Sequence, residues 1–197
     1  MNLPLPTPAM LLAFYFAVEL FLMRSGLSGD GSRAADRGSL RLILVTIGAS
    51  VSLAWLAGRA VAQASFASLS DLDPTALKPI YWAGLCVFLA GLALRWYAIA
   101  YLGRSFTFDV AVDADQRVID TGPYRRIRHP AYTGSLLTFA GLGLCGGNAL
   151  SLVVLVAPIA WAFLHRIDIE EAALTATLGD RYSAYVARTR RLVPFVY

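Results

Sequence analysis

The stretch richest in chemistry runs Thr121-Gly122-Pro123-Tyr124-Arg125-Arg126-Ile127-Arg128-His129-Pro130-Ala131-Tyr132-Thr133-Gly134. A Gly-Pro turn leads through a basic run into a helix that starts at a proline, which the first helical turn tolerates well. His129 then stands beside Arg128 at the positive end of that helix dipole, where an anionic group of a ligand is favoured by both. The same residues also read as topology determinants. Arg125, Arg126 and Arg128 would hold a loop on one side of a membrane, with Tyr124 and Tyr132 as interfacial anchors. Residue chemistry alone leaves both readings open.

A second constellation is His165-Arg166-Ile167-Asp168-Ile169-Glu170-Glu171. Arg166 and Glu170 are four apart and share a helical face, but Arg placed N-terminal to Glu is the weaker order for a stabilising pair, which favours separate partners. Glu19 and Arg95 fall inside apolar runs, where an ionisable group is expensive and needs either a partner or a function. No Cys/His metal pattern, Gly-x-Ser-x-Gly elbow or phosphate loop occurs. Gly141-Leu142-Gly143-Leu144-Cys145-Gly146 matches the dinucleotide-binding expression, but it ends an apolar helix rather than opening a βαβ unit, so helix packing and a turn explain it.

The elements that position these groups are set by composition. Of the 197 residues, 57% are hydrophobic and 15% charged, too little polar surface for a soluble globule of this size, so lipid must cover part of the chain. The net charge of +4 comes from arginines between apolar runs, not from one nucleic-acid-reading element, and no nucleic-acid partner is expected. Cys86 and Cys145 both lie in apolar runs, as small hydrophobes rather than a disulfide. The first apolar run lacks a secretory signal's positive flank and cleavage site, and is read as a retained helix.

A spanning helix needs about 20 mainly apolar residues. Five segments approach that length, over residues 8–23, 40–62, 80–102, 131–145 and 150–164. The last two flank Gly146-Gly147-Asn148 and read as a short antiparallel hairpin. Gly84 and Gly91 in the third segment, and Gly134 and Gly141 in the fourth, are spaced seven apart and suit close helix contact. Arginines crowd the first loop, the third loop and the C-terminal stretch, whereas the second loop has only Arg59 and Lys78 at its ends and the fourth has none. The excess of positive charge on cytoplasmic loops then predicts five spans, an outside N-terminus and a cytoplasmic C-terminus.

The expected fold is an all-α integral membrane protein forming one domain. Three helices occupy 1–102, a cytoplasmic cofactor-binding loop 103–130, a helical hairpin 131–165 and a cytoplasmic C-terminal helix 166–197. In the loop, Phe106, Phe108, Val110, Val112, Val118 and Ile119 argue for order. Leu174, Leu178, Tyr182 and Tyr185 recur at helical spacing, giving an amphipathic helix interrupted at Gly179-Asp180.

Taken together, Leu102-Gly103-Arg104-Ser105-Phe106-Thr107, Thr121-Gly122-Pro123-Tyr124, Arg128-His129-Pro130-Ala131-Tyr132-Thr133-Gly134, Arg166-Ile167-Asp168-Ile169-Glu170-Glu171 and Leu178-Gly179-Asp180-Arg181-Tyr182 resemble the isoprenylcysteine carboxyl methyltransferase family in order and spacing. The resemblance covers residue 91 to the C-terminus; a family glutamine has no counterpart between Asp109 and Asp115. It implies an S-adenosyl-L-methionine-dependent carboxyl O-methyltransferase. The cofactor would come from the cytoplasm and a lipidic substrate from the bilayer. In that family the cofactor contacts match Arg117, Val118, Ile119, Tyr124, His129, Pro130, Ala131, Tyr132 and Glu170, and Arg166 matches the arginine that meets the substrate carboxylate. Other classes remain open from the residues: a phospholipid or other lipid N- or O-methyltransferase, a nicotinamide-dependent membrane reductase, or a non-catalytic scaffold. An amine acceptor would gain little from Arg166.

Overall fold

The computed structural model describes residues 5–24, 38–64, 74–106 and 117–193. Phe108, Val110, Val112 and the stretch between Asp109 and Asp115 lie outside the described residues. Among the described residues six α-helices follow in order: α1 (Pro8–Arg24), α2 (Ser39–Ala64), α3 (Pro74–Leu102), α4 (Pro130–Cys145), α5 (Ala149–Leu178) and α6 (Asp180–Arg188). Short 3₁₀ turns at Gly103–Ser105 and Gly122–Arg125 mark the connection between α3 and α4.

Large apolar side chains point outward along the long helices, among them Phe14 and Phe21 of α1, Leu53 and Trp55 of α2, Trp82 and Trp96 of α3, and Val153 and Trp161 of α5. Such a surface needs lipid rather than water around it. Among the described residues three helical segments are long and apolar enough to cross a membrane: Ser39–Ala60, Lys78–Leu102 and Ala149–Leu178. Pro8–Leu22 is apolar but shorter, and α4 has 16 residues, or about 24 Å.

α3 and α4 run antiparallel with their backbones in contact. A Cβ added to Gly91 would lie 2.5 Å from Thr138 N and 2.6 Å from Gly134 O, and one on Gly84 would lie 2.9 Å from Gly141 O. One on Gly141 would run into Phe88 N, and one on Gly134 would meet Arg95 N at 2.6 Å. The seven-residue glycine spacing therefore acts as expected. Thr138 and Ser135, both fully buried on this seam, turn their hydroxyls back to the carbonyls of Gly134 and Ala131 on their own helix, so neither leaves an unmet polar group.

α1, α2 and α5 complete the bundle. Tyr15 meets the Phe139 ring edge-on at 5.1 Å, and Ile43, Ile47, Leu155, Ile159 and Phe163 join Phe88 and Leu92 in one core. Ser151 Oγ donates to Ala54 O across α2 and α5 at 2.9 Å. Glu19 of α1 and Arg95 of α3, the two charges in apolar runs, pair with each other: Nε donates to Oε1 at 2.5 Å and Nη2 to Oε2 at 2.8 Å. Arg95 Nη1 also donates to Ala131 O at 3.4 Å, so α1, α3 and the start of α4 are joined by one guanidinium.

α5 differs from the expected boundary at 165/166. It starts at an Asn148 cap, whose side chain accepts from Ser151 N at 2.9 Å, and continues unbroken for 30 residues to Leu178. The reason lies in the sequence: no glycine or proline occurs between Ile159 and Leu178, and the first breaker is Gly179, at φ 54°. Arg166 and Glu170 therefore sit on the same rigid helix that packs in the core, and the separate C-terminal helix begins only at Asp180.

The glycine seam makes a direct prediction. Gly91→Leu and Gly141→Leu should each destabilise the protein by about 3 kcal/mol or more, because the obstructing atoms are backbone and cannot swing aside. Gly48→Leu, at a position with open space around its Cβ, should unfold in detergent at nearly the wild-type temperature. Equal melting temperatures for all three variants would contradict the close seam.

Candidate active site

The site assembles where the end of α3, the start of α4 and the last turns of α5 converge. Gly122, at φ 56°, fits against Tyr101, whose ring lies 2.6 Å from where a Cβ would be, and Tyr101 Oη donates to Thr121 Oγ1 at 2.8 Å. This turn drives Tyr124 inward. Its ring packs with Leu22, Ala98, Ile99 and Ala131, its hydroxyl donates to Ala98 O at 3.3 Å, and its carbonyl accepts from Tyr185 Oη at 2.7 Å. Burial pushes the Tyr124 and Tyr185 hydroxyls well above the ordinary tyrosine value, so both remain protonated donors.

The basic run after Tyr124 is held by the chain beyond α6. Arg190 N donates to Arg126 O at 3.0 Å, Arg128 N to Arg190 O at 2.7 Å and His129 N to Arg191 O at 3.0 Å, forming a parallel bridge between Ile127 and Arg190. Thr133 Oγ1 adds a bond to Leu192 O at 2.8 Å. Residues 189–193 thus lie as a strap across the start of α4.

Side-chain charge reinforces the strap. Glu171 Oε1 accepts from Arg128 Nε at 2.7 Å and lies 3.1 Å from His129 Nε2, and Glu171 Oε2 accepts from Arg191 Nε at 3.0 Å. Arg191 also meets Asp168 at 2.9 Å, and Arg128 Nη1 donates to Thr189 O at 2.8 Å. Glu171, assigned no role by the sequence reading, is the centre of this cluster. The available signal was a second glutamate beside Glu170, facing a chain with three arginines near one helix start.

Glu170 points elsewhere. Tyr132 Oη donates to Glu170 Oε2 at 3.2 Å and accepts from Arg166 Nε at 2.9 Å. Arg166, only 4% exposed, also donates from Nη1 to Ser39 Oγ at 2.7 Å. The Tyr132 hydroxyl therefore links Arg166 to Glu170, so the two do not pair directly, but neither do they have wholly separate partners as expected: they share this hydroxyl, and Arg166 has Ser39 besides. Tyr132 is flanked by Phe163 at 5.3 Å and His129 at 5.8 Å between ring centroids.

Of the candidate residues, Arg166, Tyr132, Glu170, His129, Pro130 and Ala131 are brought together at this junction. Tyr124 reaches it through packing on Ala131. Ile119 packs on that same cluster, and Val118 lies against Leu178, Tyr182 and Tyr185. Arg117 is exposed, so its side chain stands apart. His129 differs from the picture of an open ligand group: its imidazole is buried against Glu171. The anion-attracting feature that remains is the helix start itself. Pro130 has no amide hydrogen and Thr133 N already bonds His129 O, so the first-turn amides are those of Ala131 and Tyr132.

Comparison with known proteins converges on one group. The phospholipid methyltransferase family pattern matches residues 79–181. A probable protein-S-isoprenylcysteine O-methyltransferase of Oryza sativa subsp. japonica is 32% identical over 141 residues, covering 67% of this chain and 74% of that protein. Protein-S-isoprenylcysteine O-methyltransferase B of Arabidopsis thaliana is 32% identical over 125 residues, covering 61% and 64%. The solved structure of the eukaryotic intramembrane Ras methyltransferase ICMT shares the fold, with a TM-score of 0.67 at 22% identity over 98% of this chain and 70% of that one.

The Glu171 cluster can be tested on its own. Glu171→Ala leaves two arginines and His129 without their shared acceptor and should destabilise the protein by about 3 kcal/mol, as removal of one partner from a buried ionic network does. Hydrogen exchange at the Arg128, His129 and Arg190 amides should quicken by at least tenfold. Unchanged protection at those three amides would show that the strap is held without Glu171.

Proposed function

We propose, from the premise that this chain belongs to the isoprenylcysteine carboxyl methyltransferase family and is thus a methyltransferase, that it methylates the carboxylate of a lipidic, isoprenylcysteine-like substrate using S-adenosyl-L-methionine. The observation that carries the reading is Arg166: a guanidinium buried on a membrane helix, its plane set by Tyr132 and Ser39, one hydroxyl away from Glu170. A planar fork of fixed orientation suits a carboxylate, with charge-assisted and bidentate contacts. The same charge would repel an amine headgroup, which argues against the N-methyl alternative.

The donor set fits the cofactor. Glu170 offers an acceptor for an ammonium or ribose hydroxyl, the Ala131 and Tyr132 amides suit its carboxylate, and Val118, Ile119 and Tyr124 offer apolar and aromatic surface for the adenosine. When bound, S-adenosylmethionine supplies a methyl on a sulfonium. The chain's own residues then have modest tasks. A substrate carboxylate is ionised at neutral pH, so no strong base is asked of the protein. Arg166 orients the acceptor oxygen, and the buried Phe163 with the half-buried Tyr132 against it limits access of water, so that positioning and desolvation supply the rate.

We read the chain as crossing the bilayer five times, with α1 and α4 as the short spans and the site on the cytoplasmic side. Support comes from charge: Arg125, Arg126, Arg128, Arg166, Arg188, Arg190 and Arg191 gather at the end of the bundle that holds the site, while Arg59, Lys78 and the Gly146-Gly147 turn lie at the other. In a cysteine-free background, a membrane-impermeant thiol reagent applied to intact cells should label Gly146→Cys and spare Ala184→Cys. The reverse pattern would invert the orientation.

The carboxylate role is tested at Arg166. A hydrogen bond to a charged group is worth about 1.5–3 kcal/mol, so Arg166→Ala should lower methyl transfer per cofactor-binding site roughly 10- to 100-fold while S-adenosylhomocysteine affinity changes little. Arg166→Lys keeps charge without the fork and should restore activity only in part. If Arg166 serves only to anchor α5, the variants lose stability and the folded fraction turns over normally. Wild-type turnover by Arg166→Ala would remove the carboxylate assignment.

A further inference from the structure

Tyr182 is as buried as its neighbour Tyr185, each 3% exposed. Tyr185 donates to Tyr124 O, but the Tyr182 hydroxyl has no hydrogen-bond partner among the described residues. A hydroxyl removed from water without a partner is a standing cost, and such atoms in native folds call for an explanation. Packing does not supply one, because phenylalanine would fill the same space.

The position of the residue narrows the explanation. Gly179 separates α6 from α5 at φ 54°, and the turn brings Tyr182 back against Leu174, Leu178, Val118 and Val186, with its ring 6.0 Å from that of Tyr185. Burial raises its proton affinity, and the nearby Glu171 and Glu170 carboxylates add to this while Arg128 opposes them. The hydroxyl is thus a protonated donor in the same corner as Val118 and Glu170, two of the proposed cofactor residues. Flat aromatic and aliphatic walls around one polar atom suit a nucleoside. The amino-acid end of the cofactor is better matched by the amides at the start of α4.

We propose that the Tyr182 hydroxyl is a further cofactor-binding group, donating to a ribose or adenine atom of S-adenosylmethionine. This rests on the cofactor assignment above. The ligand completes the hydrogen bonding of an atom that the described residues leave unmet, so binding gains both the new bond and relief of the unpaired donor.

Tyr182→Phe removes only that oxygen. Titration of the purified full chain in detergent with S-adenosylhomocysteine and with 5′-methylthioadenosine, which lacks the amino-acid end, should show the variant binding both roughly 5- to 30-fold more weakly than wild type. The ligand-free variant should melt at or above the wild-type temperature, since the unpaired hydroxyl is gone. Wild-type affinity for both ligands in the variant overturns the contact. Weakened binding of S-adenosylhomocysteine alone also overturns it, because the nucleoside is then not the partner. A lowered ligand-free melting temperature accompanying the affinity loss assigns the hydroxyl a structural role instead. If the wild-type chain binds neither ligand, the cofactor assignment itself fails and the contact falls with it.

Discussion

Backbone contact between α3 and α4 is the constraint on which the site depends. Without a hydrophobic force between helices in lipid, close packing must hold them, and small residues at the seam make that possible. Gly84 and Gly91 face Gly141 and Gly134, which fixes the height of α4 relative to α3. From that register follow the Arg95 reach to Ala131 O and the Tyr124 hydroxyl bond to Ala98 O. The first turn of α4 is therefore located by its C-terminal seam as much as by its own loop. A shift of one residue along the seam would move Tyr132 away from both Arg166 and Glu170.

The carboxylates at this end of the bundle divide their tasks according to helical geometry. Glu170 and Glu171 are adjacent in sequence but separated by about 100° around α5. One faces Tyr132 and Arg166; the other faces Arg128, His129 and Arg191. Glu19 serves a third purpose, neutralising Arg95 where α1 meets α3. Buried ion pairs contribute little net stability but are costly to break. Their effect here is to restrict which arrangements of α1, the strap and α4 are tolerable. Glu170 differs in being linked through a neutral hydroxyl rather than clasped by cations, which suits the acceptor role proposed for it.

Much of this was legible in the sequence, for identifiable reasons. Apolar run lengths marked the helices, the seven-residue glycine spacing anticipated the seam, and the Gly-Pro turn and Pro130 marked the start of α4. Arg166, Tyr132 and Glu170, which the fold brings together, could be singled out because they sit in short motifs whose spacing is local. The strap was not, because its bonds join residues about 60 apart and are made by backbone, to which residue type is nearly silent. The length of α5 was missed because hydropathy reports where lipid stops, not where a helix stops, and nothing in 165–178 breaks a helix. Tyr182 was visible as one of four apolar or aromatic residues at helical spacing, and only its oxygen, unpaired among the described residues, separates it from an ordinary packing residue.

The length of α5 also orders the chemistry along the membrane normal. Arg166 lies 17 residues beyond Ala149, at about 25 Å, and Glu170 at about 32 Å on a rise of about 1.5 Å per residue. The hydrocarbon core is about 30 Å thick. If α5 enters the far interface near Ala149, Arg166 falls just within the near boundary of the core and Glu170 just outside it. α4, at about 24 Å, is short enough to bring Tyr132 to that same level rather than into the headgroups. On the proposed reading, a lipid-anchored carboxylate is met by the deeper cation and a water-soluble cofactor by the shallower anion, with the Tyr132 hydroxyl between them. The two proposed reactants differ most in their solubility, and on that reading an axial offset of about 6 Å along one continuous helix would let each reach the junction from the phase in which it is soluble.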